Sequence, residues 1–179
     1  MIDGRDDSDL VRRCVDGDTE AFAPLVERYQ RVLFTMALRM VGNPEDARDI
    51  TQSAFVKAYE KLSTFDHGYR FFSWIYRIAV NECLNFLSRR KPHQPLDEDL
   101  PAGESPEGHA EARELSLGID EALVKLPTEY REVVVLRYFM DLSYGEMSEV
   151  LLIPEKTVKS RLYTARQLLA AHLGPWSER

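Results

Sequence analysis

Wound as a helix, residues 71–90 (FFSWIYRIAVNECLNFLSRR) present two unlike sides. Ile75, Tyr76, Ala79, Val80, Cys83, Phe86 and Leu87 fall within roughly 140° of arc, the stripe of an ordinary buried face. Trp74, Arg77, Ile78, Asn81, Asn85, Ser88 and Arg89 gather opposite. An indole, carboxamides and guanidiniums on one face suit stacking on an unpaired base and holding phosphate oxygens. The plainer reading, a solvated face with one stray Trp, is the more common fate of such a set.

A second stretch divides in the same way. Across a helix from about Glu155 to His172, Val158, Leu162, Ala165 and Leu169 lie within roughly 60° of one another. Lys156, Lys159, Ser160 and Tyr163 occupy the reverse side. An apolar back with donors and an aromatic in front is what a helix seated in a DNA major groove requires. Ahead of it, Ser143 and Glu146 have capping-box spacing, with Met147, Val150 and Leu151 facing inward and a tight Leu152-Ile153-Pro154 connection. Two helices joined so briefly form the helix-turn-helix pattern.

The elements that must carry these faces are all helical. Ser8 or Asp9 is a candidate cap for a short helix that stops at Gly17, and Asp18 or Thr19 for a longer one. The longer one has Phe22, Leu25, Val26, Tyr29, Leu33, Met36, Ala37 and Met40 at helical spacing and ends at Gly42. Asn43-Pro44 pairs a cap with proline at the first helical position. The next stripe is Ala47, Ile50, Thr51, Ala54, Phe55, Ala58, Tyr59 and Leu62. Residues 63–69 turn the chain into the Trp74 helix, and Thr128 is a candidate cap for a helix holding Val133, Val134, Leu136, Arg137 and Tyr138. No alternation of period two occurs. From Pro92 to about Ser105 the chain is rich in proline and acids and poor in apolar side chains, so it reads as an extended linker; Ser105-Pro106 looks like the next helix start.

The net charge of −7 argues at first against a nucleic-acid partner. Its distribution reverses that, because residues 92–122 hold one Arg against nine acids while the flanking parts are close to neutral. Cys14 and Cys83 fall on core faces and have no ligand spacing, and the four histidines are scattered. Neither a metal site nor a cofactor is expected, and no paired carboxylates or phosphate loop suggest an enzyme. No run is long enough for membrane insertion, and the acidic, polar N-terminus does not read as a signal peptide.

LSYGEMSEVLLIPEKTVKSRLYTARQLL resembles the C-terminal helix-turn-helix of extracytoplasmic-function sigma factors of bacterial RNA polymerase. NPEDARDITQSAFVKAYEKL followed by FSWIYRIAVNECLNFLSRRK resembles their N-terminal region-two domain, and the resemblance spans about residues 18–172. It implies an all-α chain with a region-two bundle over 1–92, an acidic flexible linker over 93–112 and a region-four domain over 113–179. It implies a cytoplasmic, non-catalytic subunit that gives core RNA polymerase its promoter selectivity, with promoter DNA as the other partner and an anti-sigma factor as the usual regulator.

By motif position, Asp46, Asp49, Gln52 and Phe55 match the contacts to the polymerase clamp helices. Phe65, Trp74, Ile78 and Asn81 match a pocket for a base flipped from the minus-ten element, with Arg77, Asn85 and Arg89 near the backbone. Lys159, Ser160 and Tyr163 match the readers of the minus-thirty-five element; Thr157 lies among them, and Lys156 and Arg166 are placed on phosphate. Four positions depart from the family pattern. Leu152 stands where glycine is common, at an expected cost of about 1–2 kcal/mol if the turn is left-handed. Thr164 replaces a frequent Arg, and Arg48 and Ser53 replace acids. Gly145 inside a capped helix costs about 1 kcal/mol relative to Ala. Two other readings of the same residues are a dimeric helix-turn-helix transcription factor and a protein that binds polymerase without reading DNA; neither needs the Trp74 pocket.

Overall fold

Asn43 and Ser143 each begin a helix through their side chains. Asn43 Oδ1 accepts from the backbone N–H of Glu45 at 2.8 Å and of Asp46 at 3.1 Å. Ser143 Oγ accepts from the Glu146 N–H at 3.2 Å, while Glu146 Oε2 accepts from the Ser143 N–H at 2.8 Å, which completes the capping box. The computed structural model describes residues 4–89 and 110–177, with side chains placed over 7–89 and 118–172. All its helices and turns lie in two runs. The first contains α1 (Gly4–Val15), α2 (Ala23–Val41), α3 (Pro44–Glu60) and α4 (Phe71–Arg89); the second contains α5 (Ala110–Lys125), α6 (Thr128–Val134), α7 (Tyr144–Leu151) and α8 (Glu155–Ser177). No strand occurs among the described residues.

The apolar stripes fall where the spacing placed them except at two tyrosines: Tyr59 of α3 meets Phe22 edge-on at 5.1 Å but is 44% exposed, and Tyr138 is 52% exposed. Leu25, Tyr29, Leu33, Met36, Ala37 and Met40 of α2 are buried against Ala47, Ile50, Ala54 and Ala58 of α3 and Ile75, Ala79 and Cys83 of α4. Phe86 and Leu87 are half-buried at the edge of that stripe. Cys14 and Cys83 are free, buried thiols. The anchor of α1 is polar. Asp7 is 1% exposed; it accepts from Arg28 Nη1 and, at 2.5 Å, from the Tyr29 hydroxyl. Burial first, and then the Asp7 hydrogen bond, hold the Tyr29 phenol protonated well above its usual range.

Several element starts differ from expectation. α1 begins at Gly4, so Ser8 and Asp9 lie inside it, and Asp7 turns inward. Thr19–Phe22 is a 3-10 turn and α2 starts only at Ala23. Pro24 explains this: it has no N–H to donate and its ring would meet the carbonyl one turn earlier, so it is tolerated only in a first turn. Thr128 is the first helical residue of α6, and its N-cap, Pro127, contributes no side-chain bond. α8 runs past His172 to Ser177. α5 already includes 110–112, expected as linker; 93–109 and the proposed Ser105-Pro106 start lie outside the described residues.

α6 passes into a π turn over Val135–Phe139, which the spacing does not reveal. Two charged side chains of α6, Arg131 and Glu132, are only 6% and 5% exposed. Glu132 Oε1 accepts from Arg161 Nη1 at 2.6 Å and so braces α6 against α8. Arg131 donates through Nη1 to the Met40 carbonyl at the end of α2, and through Nη2 to Val124 and Leu126. The two halves therefore touch. Arg39 lies 4.0 Å above the Phe139 ring and 3.6 Å from Asp120; the Tyr76 hydroxyl is 3.7 Å from Met140 Sδ; Arg70 Nη1 is 3.0 Å from Glu146 Oε1.

Leu152 adopts φ 55°, ψ 39°, the left-handed conformation that the turn into α8 demands, and is 70% exposed. Its side chain has little packing to offset the steric cost of that backbone, so Leu152→Gly is expected to raise unfolding free energy by about 1 kcal/mol. A urea melt that shows destabilisation contradicts this. Gly145 has ordinary room as well: an added Cβ meets only the flexible Glu155 carboxylate, at 3.5 Å.

Burial pushes the Glu132 carboxyl up to about 7, over the opposing pull of Arg161. The unfolded chain holds that proton less tightly, near the usual value of about 4.3. Stability from this group is thus full below that value and is lost as pH rises towards 7. Glu132→Gln is expected to gain on the wild type between pH 5 and pH 8, read as the difference in urea midpoint. A gain in the reverse direction contradicts the assignment.

Candidate nucleic-acid interface

The first face is built on α4. Trp74 is half-buried and backed by two rings, with centroids 5.4 Å away at Phe65 and 5.6 Å at Phe71. Phe65 itself is 6% exposed and meets Phe71 edge-on at 5.7 Å, so it supports the indole from the buried side. Ile78 is half-buried next to it, and Asn81, Asn85 and Arg89 are exposed along the helix. Arg77 is half-buried, and its Nε has no hydrogen-bond partner. This places a rigid aromatic edge among exposed carboxamides, with cations further along. Such a surface can stack a base, pair with its edge and hold its phosphate.

The loop before α4 is tied down by Asp66, whose Oδ1 accepts from the Gly68 N–H at 2.8 Å and whose carbonyl accepts from the Tyr69 N–H at 3.0 Å. Beyond it, Gly68, Tyr69 and Arg70 face Ser143, Glu146 and Glu149 across a groove. The tip of this loop is thus next to the first turn of α7.

The face on α3 is more divided. Asp49 and Gln52 are exposed, Asp46 is half-buried, and Phe55 is buried, meeting Phe22 edge-on at 6.4 Å. Val56 and Tyr59 are exposed on the same side as Asp49 and Gln52, an apolar extension that the inward stripe concealed. Ser53, one of the departures from the family pattern, has a role in the fold. Its Oγ is 3.3 Å from Glu82, which also takes Lys57 Nζ at 2.6 Å and joins α3 to α4.

On α8, Lys156, Lys159, Ser160, Tyr163 and Arg166 are exposed and Thr157 is half-buried, over a back formed by buried Val158, Leu162 and Ala165. Ser160 Oγ donates to the Thr157 carbonyl at 3.0 Å, which leaves its lone pairs as acceptors. Lys159 lies 3.5 Å from Glu155 in an exposed pair of small energetic weight. Sequence analysis missed the aromatic support behind these cations. Lys159 Nζ is 5.3 Å from the Tyr144 ring centroid, and Arg166 Nε donates to the Tyr138 hydroxyl at 2.6 Å. The signal for Tyr144 was its place directly after the Ser143 cap; for Tyr138 there was none, because the π turn decides its direction.

No helix among the described residues is long and apolar enough to cross a membrane. The Sigma-70 region 2 family matches residues 25–93, and the Sigma-70, region 4 family matches residues 116–169. The ECF RNA polymerase sigma factor SigW of Bacillus subtilis (strain 168) is 35% identical over 176 residues, covering 91% of this chain and 94% of that protein. The ECF RNA polymerase sigma-E factor of Escherichia coli (strain K12) is 34% identical over 182 residues, covering 94% and 95%. Among solved structures, CnrH in complex with the cytosolic domain of CnrY superposes with a TM-score of 0.73 at 30% identity, over 95% of this chain and 98% of that one. The sigma factor RpoE, in complex with the anti-sigma factor NepR from Bartonella quintana, shares the fold with a TM-score of 0.71 at 22% identity, over 86% and 96%. With two sigma regions in family order and relatives matched over nearly their whole length, the chain belongs to the extracytoplasmic-function sigma factors, the alternative sigma factors that direct RNA polymerase to its promoters.

Proposed function

We propose that this sigma factor divides promoter reading between its two halves, with residues 1–92 handling single strand and polymerase, 113–179 handling duplex, and 93–112 as the tether. The observation that carries the reading is Trp74: an indole stiffened by Phe65 and Phe71, with Asn81 exposed two turns further along nearly the same line of α4. Trp74 and Ile78 supply the flat apolar wall for an unstacked minus-ten base, Asn81 its edge contact, and Arg77, Asn85 and Arg89 the backbone contacts. Phe65 acts from behind. Lys159, Ser160 and Tyr163 read the minus-thirty-five duplex, with Thr157 beside them and Lys156 and Arg166 on phosphate. Asp46, Asp49, Gln52 and Phe55 mark the polymerase-docking helix, where the exposed Asp49, Gln52, Val56 and Tyr59 make contact and buried Phe55 supports them. The chain works in the cytoplasm and contributes no bond-making group.

Reading both elements together requires the halves to separate. Their centres are roughly 80 Å apart on straight duplex at 3.4 Å per base pair, whereas Arg70 and Glu146 are 3.0 Å apart here. The described form is therefore the closed one. A partner of the kind that CnrY is to CnrH would act by holding it closed.

Run-off transcription with purified core polymerase and a promoter library tests the division of labour. The wild type is expected to initiate on a subset of promoters. Trp74→Ala should lower open-complex formation about 5- to 150-fold, the range for one lost base stack, while leaving duplex binding intact. Lys159→Ala should weaken duplex binding by about tenfold and relax selectivity at one position. A protein that directs no initiation yet footprints duplex DNA alone would instead be a helix-turn-helix transcription factor independent of polymerase.

Opening has its own test. A double variant, Arg70→Cys with Glu146→Cys, bridged by a short bis-maleimide, is expected to lose run-off activity on two-element promoters and keep it when unbridged. The native thiols should not compete: both are buried, and burial raises the Cys83 thiol to about 12. Full activity of the bridged protein would show that the halves need not part.

A further inference from the structure

The two cations in the middle of the exposed face of α8 are each held by a tyrosine from a different element. Lys159 and Arg166 are seven residues apart, so they stand two turns apart on nearly the same line of the helix. Tyr144, in the first turn of α7, lies beneath Lys159, with Nζ 5.3 Å from its ring centroid. Arg137 approaches the same ring at 5.3 Å and is itself anchored by the Leu142 carbonyl at 2.8 Å. Tyr138, from the π turn, meets Arg166 twice over: its hydroxyl accepts from Nε at 2.6 Å, and its ring centroid is 5.8 Å from the guanidinium carbon.

The π turn explains how Tyr138 gets there. In an unbroken α-helix Tyr138 would follow Val134 by one turn on the same face. Val134 is buried, but Tyr138 is 52% exposed, so the wider winding over Val135–Phe139 carries the phenol round to α8. The π turn closes α6, and π turns within helices are frequent at functional sites.

A free arginine on a helix surface samples many rotamers and must give them up on binding a phosphate. A hydrogen bond to Nε fixes the plane of the guanidinium before the ligand arrives. We propose that Tyr138 is a positioning residue for DNA recognition: its hydroxyl orients Arg166 for a phosphate of the minus-thirty-five duplex, as the Tyr144 ring steadies Lys159. This rests on the reading that α8 enters duplex DNA.

The test uses holoenzyme assembled with core polymerase and a duplex promoter fragment selected by the wild type. Tyr138→Phe removes the hydroxyl and keeps the ring; it is expected to raise Kd about three- to tenfold, the range for one net hydrogen bond, with thermal stability unchanged. Arg166→Ala should weaken binding further and flatten the salt dependence by about one phosphate contact, whereas Tyr138→Phe should leave the salt slope as it is. In an Arg166→Ala background, Tyr138→Phe should have no further effect. A Tyr138→Phe penalty that persists in that background, or no penalty in the wild-type background, overturns the positioning role while α8 still binds DNA. A wild-type holoenzyme with the same Kd for the selected fragment and for one with a scrambled minus-thirty-five element overturns the reading of α8 itself, and the proposal with it.

Discussion

The closed arrangement depends on one buried guanidinium. Arg131 reaches from α6 to the last carbonyls of α2, at Met40, and to the carbonyls that end α5, at Val124 and Leu126. The ends of helices leave carbonyls without intrahelical partners, and those carbonyls carry the negative end of the helix dipole. A cation placed among them satisfies orphan acceptors from both halves at once. The cost is a charge out of water, and burial lowers the Arg131 pKa accordingly. Its Nε remains without a partner, so the solution is incomplete. Removing the side chain would leave the carbonyls uncovered and an arginine-sized gap between the halves. Replacing it with lysine would lose the fork that spans several acceptors.

Around that point the interface is graded in polarity. Arg39 is flat on Phe139 and close to Asp120, and Tyr76 touches Met140, so the inner contacts are cation–ring and apolar. At the outer rim the link is Arg70 with Glu146, a mostly solvated pair that contributes little by itself. Glu146 is also the capping residue of α7, bound to both the N–H and the hydroxyl of Ser143. The carboxylate that caps α7 therefore also touches the loop that leads into α4. Beneath that rim the buried apolar side chains of both halves belong to one continuous cluster.

The second run of helices, α5 to α8, spends stability on geometry in three places. Leu152 takes a left-handed backbone that glycine would adopt freely. The π turn interrupts regular hydrogen bonding to redirect Tyr138. Glu132 stays buried against Arg161 although burial disfavours its charge. All three adjoin α8, and each sets either the entry of that helix, the support behind its cations or its angle to α6.

Much of this protein was legible in its residues. The helical stripes, the Asn43 and Ser143 caps, the left-handed Leu152 turn and the inert thiols all follow from nearest-neighbour chemistry: periodicity, capping and the steric demands of single residues. The division of α4 and α8 into an apolar and a polar face was legible for the same reason, since i, i+3 and i, i+4 neighbours are fixed by the helix itself. What sequence could not place is whatever depends on partners distant in the chain. Phe65 is buried because Trp74, Phe71 and His67 close around it. Asp7, Arg131 and Glu132 look like surface charges until Arg28, the Met40 carbonyl and Arg161 arrive to pair them. Tyr138 faces α8 only because a π turn rotates it. The local code thus determined which helices form and what each face offers. The tertiary structure alone decided which charges are buried and which cations are held, because the free energy of a buried polar group is set by the partner it meets, and that partner is 91 residues away in the case of Arg131 and Met40.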